Sequence, residues 1–471
     1  MKSRYPKLFF FLVLLTLFVL SVTIGQSQKS ENTPKTTNSD AINAVFAPTS
    51  TESTDVPGTH PTESAPTSTA PHATRAPLVI ETLTPDAPLV SALLDTPPVA
   101  PSTEAPLPPI LVTGLPDTPP IDLPLTLPME ADEPIAAAYI ATAYRLDFPK
   151  SKVLTKEALT SEIETAVKNA KEAGLNTLFF QVRPASDAFY HSSIFPSSRY
   201  LVKNEGDAPP IDVLAEFVKA AHREGISLYA WVNPYRITSK SESLSSLSPH
   251  NPAKTHSEYT FEVNGAWYYQ PALSEVQTLV VDGIREIVEN YAVDGILFDD
   301  YFYPEGMTNE DSTLYQEYRS GGGTLTLFDW RRENVNLLIE SCYRAIKKIR
   351  PDCAFGVAPR GIWRNASEDP LGSMTEGGSA YDSIFCDALA WVRKGTVDFL
   401  APQLYSSYHE EKAEFIALAL WWQNALKNRG IAFIPSLAAY RLSEEEIRAQ
   451  IFFLSSLQGY KGFALYRMEY V

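Results

Sequence analysis

The chain has 471 residues and a formal charge of −17, from 39 Lys and Arg against 56 Asp and Glu, with only 7 His and 3 Cys. An excess of acid repels phosphate backbones, which argues against nucleic acid as a partner. Three cysteines without metal-site spacing, and seven scattered histidines, argue against a disulfide scaffold, a zinc finger or a multi-His centre, so no metal and no cofactor are expected.

The averages conceal three regions. Residues 1–25 read as a signal peptide or signal anchor. Lys2, Arg4 and Lys7 lead an apolar run, Leu8 to Ile24, broken only by Thr16, Ser21 and Thr23. Its 17 residues exceed an ordinary cleavable apolar region, so the segment holds the chain to a membrane through 8–24 if it is not cleaved. Either way an extracytoplasmic location is expected. Residues 26–134 hold 21 of the 37 prolines, 3 basic and 14 acidic residues, and a single aromatic, Phe46. Such a composition buries too little apolar surface to offset chain entropy, so a disordered Pro/Thr/Ser-rich acidic linker is expected. Residues 135–471 carry all seven tryptophans and enough length for a large core.

Within 135–471, short apolar runs alternate with helical periodicity. Expected strands are Tyr139–Leu146, Thr177–Arg183, Ser227–Asn233, Gly295–Tyr301, Ala354–Pro359, Asp398–Tyr405, Ala432–Ala439 and Gly462–Arg467. Seven helices separate them, with capping signals at Ser161-x-x-Glu164, Ser274-x-x-Gln277 and Ser443-x-x-Glu446, and a stop at Gly174. Eight strand–helix repeats predict an α/β fold, a (β/α)8 TIM barrel. Helix-to-strand connections are short, whereas strand-to-helix connections at about 185–211, 235–273, 301–329 and 361–381 are long. The extra chain thus gathers at the C-terminal face of the strands, where barrels of this kind place their chemistry. No eighth helix follows strand eight, which leaves either a segment near 130–138 to cover the gap or an incomplete barrel.

Strand four ends in Asp294-Gly-Ile-Leu-Phe-Asp299-Asp300-Tyr301-Phe302-Tyr303-Pro304. Two carboxyls at a tyrosine-lined mouth suit glycoside hydrolysis, which needs one acid to protonate the leaving oxygen and one carboxylate to attack or to activate water. Successive strand residues face opposite sides, so both can act only if the strand breaks there. Asp299 and Asp300 are the candidate catalytic pair. The other strand ends supply candidate substrate ligands: Arg183 and Asp187, Asn233 and Tyr235, Tyr301 and Tyr303, Arg360 and Trp363, Gln403 and Tyr405, and Tyr440, with Tyr466 and Arg467 at strand eight. Loop aromatics Tyr190, Tyr259, Trp267, Tyr268, Tyr269 and Tyr408 offer flat faces for sugar rings.

These motifs in this order, Ile-Ala-Thr-Ala-Tyr-Arg-Leu-Asp, Phe-Gln-Val-Arg-Pro-Ala-Ser-Asp, Ala-Trp-Val-Asn-Pro-Tyr-Arg, Asp-Asp-Tyr-Phe-Tyr-Pro, Ala-Pro-Arg-Gly-Ile-Trp-Arg-Asn and Ala-Pro-Gln-Leu-Tyr, resemble glycosyl-hydrolase-like family 10, the DigH-like envelope glycan hydrolases. The resemblance spans roughly 138–470 and implies a glycosidase acting on a cell-envelope polysaccharide, peptidoglycan glycan strands stripped of stem peptides. Strand four also resembles the family 18 chitinase pattern, with Asp294 and Gly295 at its opening and Asp299 at its last Asp. Tyr301 and Leu297 occupy that pattern's acid and first inner Asp, which counts against its substrate-assisted scheme. Two other readings stand beside the glycosidase: a non-catalytic, wall-anchoring glycan-binding barrel, and a metal-dependent polysaccharide deacetylase using the two aspartates as ligands.

Overall fold

The computed structural model describes residues 134–240 and 242–471. The expected export segment, and the linker up to residue 133, lie outside the described residues. The fold is α/β: a ten-stranded, all-parallel curled sheet with helices packed on its outer side. In chain order the sheet strands and longer helices are β1 (Ile135–Ile140), α1 (Lys156–Glu172), β2 (Thr177–Arg183), α2 (Val213–Arg223) and β3 (Ser227–Val232). A hairpin of β4 (Thr260–Val263) and β5 (Ala266–Tyr269) is followed by α3 (Ser274–Asn290), β6 (Gly295–Phe298), α4 (Ser312–Ser320), α5 (Leu327–Ile349) and β7 (Ala354–Val357). The remainder is α6 (Ala388–Lys394), β8 (Phe399–Leu400), β9 (Gln403–Leu404), α7 (Phe415–Leu426), β10 (Ala432–Phe433), β11 (Ser436–Leu437), α8 (Glu444–Ser455) and β12 (Gly462–Leu465).

The expected sixth and seventh strands are each split in two. Pro402 separates β8 from β9 and Pro435 separates β10 from β11, because a proline inside a strand has no N–H to give the ladder. The halves still pair in register: β8 with β7 and β10, β9 with β11, and β11 with β12, which pairs in turn with β1. Strand alternation makes two apolar layers. Inward-facing Ala137, Tyr139, Phe179, Tyr229, Trp231 and Phe399 fill the curl, while outward-facing residues meet the helices. The filling depends on small partners opposite large rings. A Cβ on Gly295 would lie 2.3 Å from the Tyr229 ring, and one on Gly356 2.5 Å from the Phe399 ring.

Several sequence expectations are corrected. Strand one starts at Ile135, four residues before Tyr139, and gives way after Ile140 to a turn at Ala143–Arg145. The Ile-Ala-Ala-Ala start lacks the β-branched density that marks strands, yet it is gripped on both sides, by β12 and β2. Residues 135–138 are therefore sheet and do not stand in for an eighth helix. After β12 the chain makes only a short turn at Met468–Tyr470. The seam is held by Arg467, whose Nη1 donates to Asp147 Oδ1 at 2.7 Å and to Leu146 O at 2.9 Å, with both ion-pair side chains 4% exposed.

Helix α1 begins before Ser161. Thr155 Oγ1 accepts from Ala158 N at 3.2 Å, because the apolar face already runs through Leu159 and Ile163. Its end at Glu172 falls two residues before Gly174. At α3 the side chain of Ser274 bonds to Glu275 rather than capping, whereas at α8 Ser443 caps as expected, accepting from Glu446 N at 3.2 Å. Trp421 and Trp422 pack the outer layer on α7. The three cysteines are buried thiols, Cys342 on α5 and Cys386 in the loop ahead of α6 rather than on a helix.

Candidate active site

The long connections lie at the C-terminal ends of the strands, and the chemistry gathers there. Strand β6 ends at Phe298. Asp299 N still donates to Val232 O at 3.1 Å, and then the chain turns, with Phe302 N donating to Asp300 O at 2.9 Å. This break lets two successive residues share one mouth. Asp299 continues the inward parity of Leu297 and is 7% exposed, and Asp300 is 3% exposed.

The two carboxyls have different partners. Asp299 Oδ2 accepts from Trp231 Nε1 at 3.2 Å, and its Oδ1 accepts from Asp300 N at 2.9 Å. Asp300 Oδ2 accepts from Arg360 Nε at 3.3 Å, and Arg360 Nη1 is shared between Glu305 and the Ser383 hydroxyl. Burial, and then the neighbouring Asp300 carboxylate, push the Asp299 carboxyl well above the usual carboxylate range, and the Arg236 charge offsets this only in part. The protonated form of Asp299 is therefore favoured relative to a free aspartate, beside an Asp300 side chain tied to an arginine.

Aromatic rings wall this pair. Tyr139 meets Trp231 and Tyr466 edge-on, with centroids 5.2 and 5.5 Å apart. Tyr405 packs on Tyr466 at 5.7 Å and on Tyr440 at 6.0 Å. Burial raises the phenols of Tyr139, Tyr301, Tyr405 and Tyr466, which keeps them neutral. Asn233, on the inward parity of Tyr229 and Trp231, is 1% exposed, and neither Nδ2 nor Oδ1 has a partner among the described residues. Gln403 donates from Nε2 to Ala358 O at 2.9 Å, which places it at the same mouth.

Thus Asp299, Asp300, Asn233, Tyr301, Arg360, Gln403, Tyr405 and Tyr440 come together. Five other candidates do not. Arg183 is fully buried on the outer side of the sheet, its guanidinium 3.6 Å from the centroid of the Phe195 ring. A bulge at the end of β2, where Gln181 pairs with Trp231 but Arg183 with Val232, turns it outward. Asp187 braces its own loop, accepting from Ser198 Oγ at 2.8 Å and Arg199 N at 3.1 Å. Tyr235 is buried in the outer core. The Tyr303 hydroxyl accepts from Asn334 Nδ2 at 3.2 Å under the loop, and Trp363 stacks on Trp421 and donates to Asp387 Oδ1 at 3.1 Å. Asp294 sits at the opposite end of β6, accepting from Leu228 N at 2.7 Å. Of the loop aromatics, Tyr190 and Tyr269 are buried, and Trp267 and Tyr268 are half-buried on the hairpin.

Sequence reasoning passed over Trp231, Arg236, Gln181 and Glu305. Trp231 and Gln181 were accessible from strand parity, two residues before Asn233 and two after inward Phe179. Gln181 Oε1 accepts from Thr142 N at 3.0 Å and Ala143 N at 2.9 Å, fixing the first loop. Arg236 and Glu305 lie on loops, where alternation gives no guidance.

The model of the family glycosyl hydrolase-like 10 matches residues 134–453. Among curated relatives, glycosyl hydrolase YngK of Bacillus subtilis (strain 168) is 35% identical over 327 residues, 69% of this chain and 64% of that protein. Glycosyl hydrolase DigH of Escherichia coli (strain K12) is 33% identical over 332 residues, 67% of this chain and 75% of that protein. The chain thus spans under two thirds of the Bacillus relative. A solved glycoside hydrolase domain, PgaB (BpsB) of Bordetella bronchiseptica, superposes with a TM-score of 0.47 at 12% identity, over 72% of this chain and 94% of that one. Both aspartates and every other residue of the mouth described above except Tyr466 lie inside the matched span, and the chain belongs to the glycosyl hydrolase-like 10 family.

Proposed function

We propose that the protein is a glycosidase that cleaves a cell-envelope polysaccharide, peptidoglycan glycan strands lacking stem peptides, on a (β/α)8-type barrel. The observation that supports this best is the unequal pair: a buried, proton-holding Asp299 beside an arginine-bound Asp300. In this reading Asp299 delivers its proton to the glycosidic oxygen as the bond breaks, Asp300 supplies the negative charge that meets the oxocarbenium-like sugar, and a water then adds its oxygen to the anomeric carbon while its proton returns to Asp299. The unpartnered amide of Asn233 and the rings of Tyr405, Tyr440 and Tyr466 hold the sugar's hydroxyls and faces. The substrate follows the family resemblance, and the names of the relatives, glycosyl hydrolases, support the reaction class. Residues 1–25, with a positive start and the apolar run Leu8–Ile24, support delivery out of the cytoplasm, as a secreted or membrane-anchored protein.

The test is direct. Full-length protein is incubated with peptide-free peptidoglycan strands and with chitin oligomers, and products are read by mass. New reducing ends from the strands are expected, and their absence from both polymers overturns the glycosidase reading.

A further inference from the structure

We propose that Arg236 is the anion-reading residue of this mouth and binds the carboxylate of an acidic sugar next to the bond that is cut. The proposal rests on the glycosidase reading above and adds the charge of the sugar that the site selects.

Arg236 differs from Arg360, Arg467 and Arg199, which carboxylates neutralise. Arg360 is neutralised by Asp300 and Glu305, and Arg467 by Asp147 and Glu469. Arg199 is ringed by Asp187, Glu205 and Glu242. Among the described residues Arg236 has no carboxylate within ion-pair distance, and its side chain donates no hydrogen bond. Its guanidinium lies 4.1 Å from the centroid of the Tyr301 ring, the residue that follows Asp300. It is partly exposed, so its unused N–H groups are open to a ligand.

The backbone fixes that position before any ligand arrives. Tyr235, one residue earlier, is buried in the outer core and its carbonyl accepts from Tyr269 N at 2.8 Å. One residue later, Ile237 N donates to Trp267 O at 3.0 Å, and Arg236 itself pairs with Tyr268 in an antiparallel bridge. With Tyr235 buried on one side, Arg236 is left on the other, facing Tyr301 and the reaction centre, where its charge is felt by Asp299. A planar guanidinium stacked on a ring, with its donor edge free, is the geometry that takes a carboxylate through two parallel hydrogen bonds. Among the described residues Asp299 makes no ion pair with Arg236, so the donor edge is not already taken. A neutral hexosamine chain would leave this cation without a counter-charge.

The carboxylate has two chemical sources, the lactyl ether of an amino sugar or the C6 acid of a hexuronate. The assay therefore uses three polymers: peptide-free peptidoglycan strands, an alternating hexuronate–N-acetylhexosamine polymer, and neutral chitin oligomers. The two acidic polymers are also tested after carbodiimide–borohydride reduction of their carboxylates to alcohols. For the wild-type protein, reduction of the preferred polymer is expected to lower kcat/KM by about 10- to 100-fold, the range of a bidentate charged contact. Arg236→Gln is expected to show that low value on both the native and the reduced polymer. Arg236→Lys, which keeps charge but not the fork, is expected to fall between. Which acidic polymer responds identifies the source of the carboxylate. Equal wild-type activity on native and reduced polymers, or an equal fractional loss on both in Arg236→Gln, overturns the proposal while leaving glycosidase action intact. If no polymer is cut, affinity electrophoresis of Arg236→Gln and wild type in native and reduced strands makes the same comparison. Carboxylate-dependent retardation lost in the variant supports the anion site, and its absence in the wild type overturns it.

Discussion

Asp299→Asn separates a proton donor from a structural carboxyl. The side chain accepts from Trp231 Nε1 at 3.2 Å and from Asp300 N at 2.9 Å, and an amide of the same shape can accept from only one of them. One buried donor then faces an NH2 group, at a cost of about 1–3 kcal/mol. For a domain of about 340 residues, with an unfolding entropy near 0.7 kcal/mol/K, that cost lowers Tm by about 1–4 °C. Loss of a general acid is far larger, about 10²- to 10⁴-fold in kcat, or roughly 3–5.5 kcal/mol.

The pH response adds a second reading. Because the folded state raises Asp299, folding is favoured while the group is protonated; that contribution is complete below the unfolded pKa of about 4 and is lost as pH rises through the higher folded value. Wild-type kcat and wild-type stability are therefore both expected to decline with rising pH across the Asp299 titration. In Asp299→Asn the component due to this group is absent from both profiles. The measurements are kcat on peptide-free strands and calorimetric Tm across pH. A variant that keeps more than one third of wild-type kcat, or whose high-pH limb coincides with the wild type, refutes the assignment of the proton to Asp299.

Three further outcomes are expected. Trp231→Phe removes the donor to Asp299 while keeping an aromatic ring; kcat should fall about fivefold, as for one hydrogen bond of ~1 kcal/mol, with KM unchanged, and a change confined to KM would contradict it. Asp147→Ala leaves the buried Arg467 guanidinium with Glu469 and the Leu146 carbonyl alone, at a cost of about 1–3 kcal/mol, or ~1–4 °C in Tm, and the Asp147→Leu/Arg467→Met pair should recover part of it; a drop under about 1 °C would show that the seam does not depend on this pair. Cys342, Cys353 and Cys386 are fully buried, and burial raises all three thiols, so a thiol reagent should label none of them in the native state and all three in denaturant. Fast native labelling would contradict the packing around them.

The periodic parts of the chain were legible because one physical rule governs them. Seven of the eight expected strands begin at, or within one residue of, the residue at which their ladder begins, as at Thr177, Ser227 and Gly295, because apolar runs between turn residues have few other places to go. Asp299 and Asp300 were legible because acids ending an apolar strand stand out. The failures came where a local event overrides periodicity. Thr155 captured the α1 start from Ser161, prolines cut two strands, and a bulge sent Arg183 away from the mouth. Tyr235 and Trp363 read as mouth residues because aromatic side chains suit both a sugar platform and a core, and only packing decides between them.

The bulge at the end of β2 also has an electrostatic meaning. Had β2 kept strict alternation, Arg183 would follow Phe179 and Gln181 into the curl, toward Trp231 and Asp299. A cation there would favour the ionised form of Asp299 and draw off the proton the site retains. The bulge instead lays that charge against Phe195, where a Cβ on Gly283 would come within 2.7 Å of Arg183 Nη1. A slip of the ladder by one residue thus works as insulation: it keeps an arginine of the adjoining wall out of the acid's field, and leaves the mouth's cations to the two loops that carry Arg236 and Arg360.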